Sequence, residues 1–407
     1  MLYYLLLMIR KKISGVFIIV ASVALLQILC TILLARNLTK EDMGLWRLLL
    51  TLVEFGALLG LIGIDHAFVR FFSSSSVSIQ DYDWKRFLKK FLFLSLGITI
   101  IGSLFATFFY NLELKSCIFL IPCIILTILI LIFSSFLRAK QKYELAIFFS
   151  RNNFIVFFVI LVLIYLLKAL TLRKALLAYL ISLAIAFFYT QYYCLKRIEN
   201  GRESIPKNVF KNGLSYFGIG IALILLLQTG TLIIGKTLSY KDLAIYTVIA
   251  SVMRLFEFIQ DSAYHVLVPY FNQSKNTALK KTFQVILLFG LITVLFYILF
   301  SKILVHFLFA GLYDEGLYLI PYFIGIGFIR TLFVLPASII GGKSAESTLR
   351  KQLIIISSVA IINLYLSFIF VGIWQLKGVA IANLISWSIL LLADLAITKK
   401  YLVFNNA

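Results

Sequence analysis

The most constraining feature of this chain is a succession of apolar stretches, each long enough to cross a lipid bilayer. Crossing about 30 Å of hydrocarbon takes roughly 20 consecutive apolar residues in a helix. Of the 407 residues, 62% are hydrophobic and 14% are charged, and the mean hydropathy is +1.02. Soluble domains carry about 45–50% apolar residues. The sequence therefore excludes a soluble enzyme, a secreted disulfide-rich scaffold and a disordered chain.

Twelve of these stretches are predicted to be membrane-spanning helices, six on each side of a polar connector at residues 196–212. The loops that remain are short, so the sequence has no room for a soluble domain beside the bundle. We predict an all-α, polytopic membrane protein. Its spans are expected at roughly 13–35, 45–70, 91–110, 117–137, 145–167, 175–195, 213–235, 243–270, 283–300, 316–341, 353–373 and 379–397.

The distribution of positive charge predicts the orientation of these spans. The chain has 38 Lys and Arg against 17 Asp and Glu, a net charge of +21. The N-terminal tail and every second loop together hold 23 of the cations, whereas the other loops hold 10. Because Lys and Arg are retained on the cytoplasmic side, both termini are expected in the cytoplasm. Most of the basicity is thus explained by topology, and we expect no nucleic-acid partner.

Two segments 200 residues apart resemble one another. Residues 33–46 read LLARNLTKEDMGLW and residues 233–246 read IIGKTLSYKDLAIY, and twelve of the fourteen pairs are identical or similar in kind. Six spans separate the copies, so both halves have the same orientation. This pattern predicts two six-helix bundles, 1–200 and 201–407, around a central cavity, as in transporters that alternate access. Convergent helix–loop–helix composition is the alternative explanation.

Charged residues inside the spans form polar stripes on two of the predicted helices. Arg47 and Glu54 are seven residues apart in span two and differ by about 20° around the helix. In span eight, a second stripe lies on one side of the predicted helix. A charge at mid-bilayer costs about 2.5–3.5 kcal/mol, so it normally faces a partner or a watery cavity. Matched stripes favour a water-filled cavity. The second stripe consists of Arg254, Glu257, Asp261 and His265.

Three arginines are the candidate substrate-binding residues: Arg47, Arg254 and Arg330. A guanidinium binds phosphate oxygens in a bidentate manner and stays charged at physiological pH. Arg47 lies near a span end, where a structural role is equally reasonable. For Arg254, the alternative is pairing with Glu257 and Asp261 on its own helix.

Four titratable residues are candidates for ion coupling: Glu54, Glu257, Asp261 and His265. Histidine titrates near physiological pH and suits proton transfer, although a structural histidine is the simpler interpretation. The four cysteines lie within apolar runs, and their spacing fits no metal site. We therefore expect neither a metal nor another cofactor.

The N-terminal segment resembles that of bacterial polysaccharide flippases. In residues 10–72, a basic patch precedes span one, "LLAR-L" ends it, and a short acidic loop leads to span two, which ends in "VRF". Residues 363–392 resemble the last hairpin of the same family. Each motif is loose, but together they cover most of the chain. The matching positions are Arg36, Leu38, Glu41, Gly44, Gly63, Arg70, Asn363, Gly378, Ala380 and Ala382.

The resemblance implies the fold of multidrug/oligosaccharidyl-lipid/polysaccharide exporters, with two bundles around a cationic cavity. It implies translocation of an undecaprenyl-pyrophosphate-linked oligosaccharide, such as an O-antigen (lipopolysaccharide) or capsule repeat unit, across the bacterial inner membrane. Coupling to cations or protons, and contacts with other polysaccharide-assembly membrane proteins, are implied too. One position departs from the family: an acidic residue common near the end of span seven is Gly230 here.

Two other functional classes are weighed against this one. Antiporters of the related multidrug and toxin extrusion branch use buried carboxylates in spans one and seven, but 13–35 and 213–235 contain neither Asp nor Glu. A membrane enzyme such as a glycan polymerase needs a sizeable extracytoplasmic loop with catalytic residues. The longest candidate, near 301–315, is short and holds only Asp314 and Glu315. We therefore expect a transporter and not an enzyme.

Overall fold

The computed structural model describes residues 14–74, 82–140, 142–195, 207–273, 279–343 and 346–402, almost all of them helical. The prediction of an all-α membrane protein is confirmed. By length and composition, ten helices in the described part of the chain suffice to cross a membrane. The tenth, Arg350–Lys399, contains two predicted spans, and the predicted span eight is a pair of shorter helices. The described helices thus account for the twelve predicted spans.

One compact unit comprises Asn37–Ile224. Its helices are α2 (Lys40–Leu61), α3 (Ile64–Ser74), α4 (Trp84–Phe109), α5 (Leu114–Ala139), α6 (Tyr143–Arg151), α7 (Asn153–Leu166) and α8 (Leu172–Leu195). Within the unit, α5 packs against α2, α3, α4, α6 and α8. The carboxyl end of α2 is separated from α3 by Ile62 and Gly63, both with positive φ. The core includes Trp46, which stacks on Phe157 with ring centroids 5.5 Å apart.

The other compact unit comprises Met1–Arg36 and Leu225–Ala407. Its helices are α1 (Ser14–Asn37), α9 (Lys207–Thr237, which begins before the unit boundary), α10 (Tyr240–Val252), α11 (Arg254–Gln273), α12 (Leu279–Phe309), α13 (Ile320–Lys343) and α14 (Glu346–Leu402). Here α13 packs against α11, α12 and α14, and a short 3-10 helix at Asp314–Leu319 precedes it. The first helix groups with this unit through its contacts, and the predicted division at residue 200 stays a prediction.

The two copies of the sequence repeat form the same local structure. Thr39 precedes α2, and its hydroxyl accepts a hydrogen bond from the Asp42 amide at 3.1 Å. Ser239 precedes α10 and accepts from the Asp242 amide, also at 3.1 Å. Such N-caps satisfy amides that have no partner within the helix. The offset of 200 residues therefore relates two helix–cap–helix connections with the same hydrogen bond.

The α14 segment is a hairpin of two helices. The side-chain amide of Asn363 donates to the Oδ1 atom of Asn383 at 3.0 Å. The side-chain amide of Gln352 donates to the Asp394 carboxylate at 3.1 Å. In a straight helix, 20 and 42 residues would separate these pairs by about 30 Å and 63 Å. The chain therefore reverses, and it does so at Gln375, whose φ of 51° and ψ of −132° are non-helical. The predicted pair of closing spans is confirmed.

Candidate functional site

Predicted span eight is broken immediately before its arginine. α10 ends at Val252 and α11 begins at Arg254, so only Met253 lies between them. The Tyr297 hydroxyl from α12 bridges the break, because it accepts from the Leu255 amide at 3.3 Å and donates to the Val252 carbonyl at 2.7 Å. Broken helices persist inside membranes where such partners satisfy the freed backbone groups. The buried tyrosine thus fixes where Arg254 lies.

Arg254 has a neutral partner among the described residues. Its Nη1 donates to the Oε1 atom of Gln27 on α1 at 2.5 Å. A guanidinium has five N–H donors and no acceptor. In the part of the chain that the structure describes, no carboxylate forms an ion pair with Arg254. Among the described residues, Arg254 is therefore a cation whose side-chain bond is to a neutral amide.

Arg330 has a different environment, between a carboxylate and an aromatic ring. Its Nη1 lies 3.4 Å from the Glu257 Oε1 atom, and its guanidinium carbon lies 5.2 Å from the centroid of the Trp387 ring. The two side chains of the ion pair are 20% and 51% exposed. A ring face attracts a cation through its quadrupole. Arg330 is therefore held in place with its charge already compensated.

Close packing between α11 and α13 places Glu257 opposite Arg330. The side-chain amide of Gln260, about one turn after Glu257, donates to the Gly327 carbonyl at 3.2 Å. A Cβ atom at Gly327 would collide with the Phe256 ring, so only glycine allows this approach. The pair that Glu257 forms joins two helices, unlike the pairing with Arg254 on the same helix that the sequence suggests.

The remaining candidates lie in the other unit or have side chains outside the described residues. Arg47 and Glu54 belong to the other unit, where they lie two helical turns apart on α2; Arg47 is half-buried and Glu54 is exposed. Each has further interactions within the protein. Asp261 and His265 lie on α11, but their side chains are outside the described residues. The roles assigned to these four residues stay predictions.

A neutral, buried network occupies the region around Gly230. Asn363 bonds to Asn383, and the Asn383 amide donates in turn to the Tyr246 hydroxyl at 3.0 Å. A Cβ atom on Gly230 would lie only 2.5 Å from that hydroxyl. An acidic side chain at Gly230 is therefore incompatible with the present position of Tyr246.

Sequence reasoning missed three residues that position the arginines: Gln27, Tyr297 and Trp387. A signal existed only for Gln27, a polar residue within the apolar run VALLQILC. The tyrosine and the tryptophan resemble the many other aromatic residues of the spans. The four cysteines are free and buried, as predicted. The described residues contain no group of three or more His, Cys, Asp or Glu side chains that could hold a metal ion.

A family model described as "Polysaccharide biosynthesis protein" matches residues 9–275, about two thirds of the chain. The chain belongs to the polysaccharide biosynthesis protein family. Among curated proteins, none matches this sequence.

Solved structures share the fold of this polysaccharide biosynthesis family member. The lipid II flippase MurJ in an inward closed conformation is 16% identical, with a TM-score of 0.73, and the match covers 94% of this chain and 87% of MurJ. An inward-facing multidrug resistance transporter of the MATE family is 13% identical, with a TM-score of 0.64 and coverage of 95% and 99%. The MATE multidrug transporter DinF-BH is 13% identical, with a TM-score of 0.62 and coverage of 95% and 93%. At these identities the likeness shows the fold.

Proposed function

We propose that this protein is a flippase that moves an undecaprenyl-pyrophosphate-linked oligosaccharide across the bacterial cytoplasmic membrane. The observation that carries the proposal is Arg254, a cation at a helix break inside a predicted span with a neutral described partner. In a chain of the polysaccharide biosynthesis family, the pyrophosphate of a lipid-linked glycan is the anion that we expect the Arg254 guanidinium to bind. The protein positions and moves this substrate and makes or breaks no covalent bond in it.

The proposed cycle is alternating access, driven by an ion. Arg254 binds the pyrophosphate, and Arg330 and Arg47 bind it or the acidic groups of the glycan as the substrate passes. Among the coupling candidates, Glu257 is the one with a described ion-pair partner, Arg330, and a proton on Glu257 would weaken that ion pair. Glu54, Asp261 and His265 remain further candidates. We propose further that both termini lie in the cytoplasm. The proposed partners are membrane lipids and other polysaccharide-assembly proteins of the membrane.

The first test is the substitution Arg254→Gln in a strain that depends on this protein for its surface polysaccharide. We expect a loss of surface polysaccharide on the order of tenfold or more, because the amide carries no charge. Arg254→Lys should retain part of the activity, since it keeps the charge but loses bidentate geometry. Polysaccharide is measured at the cell surface and the protein is quantified in the membrane.

The matched control is Lys302→Gln, which removes one positive charge from an exposed position on α12. It should leave surface polysaccharide at the wild-type level. Undiminished polysaccharide in Arg254→Gln cells, with normal protein abundance, would contradict the assignment of Arg254.

Multidrug antiport is the second candidate, favoured by the likeness of the fold to the MATE transporters. The absence of Asp and Glu from 13–35 and 213–235 argues against it. Expression in a drug-sensitive strain distinguishes the two functions. Increased drug resistance without any effect on surface polysaccharide would favour antiport.

A further inference from the structure

A groove of about 330 Å³ runs along the unit that contains α1, α10, α11 and α12. From α1 it is lined by Ala21, Ala24, Leu25 and Ile28, whose spacing places them on one helix face. The two alanines leave space that larger side chains would fill. Leu25 is 58% exposed, so the groove has an open side.

The wall opposite α1 is also mostly apolar; its polar members include Ser251 and Arg254. Aromatic and aliphatic residues of α11 and α12 line it, including Phe258 and Phe296, and Arg254 is the one charged residue among the described residues of the lining. Arg254 lies at the helix break that Tyr297 bridges, and Tyr297 itself lines the groove. The groove therefore presents hydrocarbon surface next to a single guanidinium.

Hydrogen bonds join α1 to α12 beside the groove. Leu308, which lines the groove, accepts a hydrogen bond through its carbonyl from Arg36 Nε at 2.7 Å, and the Phe307 carbonyl accepts from Arg36 Nη2 at 2.5 Å. Cations at a helix C-terminus satisfy its free carbonyls and oppose its dipole. These bonds join the carboxyl end of α1 to the carboxyl end of α12, next to a residue that lines the groove.

We propose that this groove holds the hydrocarbon chain of an isoprenoid phosphate lipid, with the phosphate on Arg254. The inference rests on the proposed function and adds to it a place for the lipid chain, which Arg254 alone does not specify. The lining matches a hydrocarbon chain, and the guanidinium matches a phosphate. A volume near the lower limit for ligand pockets suits one segment of a long chain, whose remainder stays in the bilayer.

The groove is tested by filling it. The probe is undecaprenyl phosphate, added to the purified full-length protein and detected as bound lipid by native mass spectrometry. Ala24→Trp places a large side chain in the groove and should reduce retention by a factor on the order of ten, because it displaces the hydrocarbon chain. Ser22→Trp is the matched control, because Ser22 is exposed, lies two residues away on α1 and does not line the groove. It should retain the lipid as wild type does.

Ligands that differ in chain length or headgroup test the apolar groove and Arg254 separately. Wild type should retain undecaprenyl phosphate far better than geranyl phosphate, and Ala24→Trp should abolish that preference. Arg254→Gln should weaken the retention of both. Equal displacement of undecaprenyl phosphate by phosphatidylglycerol would identify a site for bulk lipid and overturn the proposal, as would full retention in Ala24→Trp.

A second measurement needs no variant. A photoreactive isoprenoid phosphate bound to the wild-type protein should label peptides that contain residues 21–28, 251–258 or 296–309, which line the groove. Labelling elsewhere overturns the proposal even if Ala24→Trp does not fold. The outcomes distinguish a failure of the groove proposal from a failure of the proposed function. If wild type supports surface polysaccharide but the label maps elsewhere, the groove is wrong; if the label maps to the groove but wild type exports no polysaccharide, the proposed function is wrong.

Discussion

Arg254 and Arg330 share a side chain but differ in what surrounds it. Arg254 bonds to the neutral amide of Gln27, whereas Arg330 lies between the Glu257 carboxylate and the Trp387 ring. An arginine already paired with a carboxylate gives up part of that interaction when it binds another anion. Under the proposed function, Arg254 is therefore suited to bind the phosphate first. Arg330 is suited to a later step in which its ion pair with Glu257 is broken.

Glu257→Gln should affect transport more than stability. A partly exposed ion pair contributes about 0–1 kcal/mol, so the midpoint of thermal unfolding should move by a few degrees at most. Surface polysaccharide should fall severalfold, because glutamine cannot form the ion pair and leaves Arg330 permanently without that charged partner. Both quantities are measured on the same variant, one on purified protein and one on cells.

The control for that prediction is Glu144→Gln, which neutralises an exposed carboxylate in the first turn of α6. It should leave both quantities unchanged. If Glu257→Gln cells display as much polysaccharide as this control, Glu257 has no part in coupling.

The sequence was informative about which residues carry charge inside the spans, but less so about their partners. Glu257 lies three residues after Arg254, which suggests a local pair, yet its partner is Arg330, 73 residues later. Spacing along one helix says nothing of the helix packed against it. Here the decisive factor is the approach of α11 to α13 at Gly327, which is a property of the tertiary structure.

At the scale of the helix, two breaks with different causes shape the second half of the chain. At Met253 the helix is interrupted without a glycine or proline, and the Tyr297 hydroxyl from α12 supports the interruption. At Gln375 the chain reverses through a positive φ. Hydropathy predicted the reversal, because two spans must fit within one apolar region. Hydropathy gave no indication of the break at Met253. That break depends on Tyr297, whose hydroxyl accepts a hydrogen bond from the Leu255 amide, 42 residues away in the sequence.

Gly378→Ala should destabilise the closing hairpin. A Cβ atom at this position would collide with the carbonyl oxygen of Phe370, and backbone atoms cannot rotate away as a flexible side chain can. Overpacking of this kind costs about 1–3 kcal/mol. The midpoint of thermal unfolding of the purified protein should fall by several degrees, and less protein should accumulate in the membrane.

Gly372→Ala is the matched control in the same hairpin, since nothing lies within 4 Å of the position that a Cβ atom would take there. Alanine is favoured over glycine within a helix by about 1 kcal/mol. This variant should therefore be as stable as wild type or slightly more stable. Equal effects of the two substitutions would show that the contact with Phe370 is not responsible.

At the scale of the molecule, the all-helical plan follows from hydropathy alone, because backbone groups in lipid must be satisfied within each helix. The repeat is recognisable in the sequence because twelve of the fourteen pairs in 33–46 and 233–246 are identical or similar in kind. The structure adds that Thr39 and Ser239 both cap a helix. The grouping of α1 with residues after Leu225 was not predictable from the repeat. It depends on side-chain bonds such as that of Arg36 to the end of α12, between residues far apart in the sequence.

The predicted orientation can be tested with the native cysteines in place, because all four are buried. Lys115 lies in the first turn of α5, at an end expected outside the cytoplasm, and Lys142 lies just before α6, at an end expected inside it; both positions are exposed. A membrane-impermeant thiol reagent should label Lys115→Cys in intact cells and Lys142→Cys only after permeabilisation. The reverse pattern would invert the topology and refute the placement of both termini in the cytoplasm.

The bond between Arg36 and the Leu308 carbonyl has a consequence for biosynthesis. The two residues are 272 positions apart, so the ribosome must add most of the protein before the arginine meets its acceptor. At about 5–20 residues per second, that interval is roughly 15–55 s. Throughout it, α1 carries a cation without its final partner. Insertion of that helix and its final docking are therefore separate events, and the second must wait for the carboxyl end of α12 to be translated.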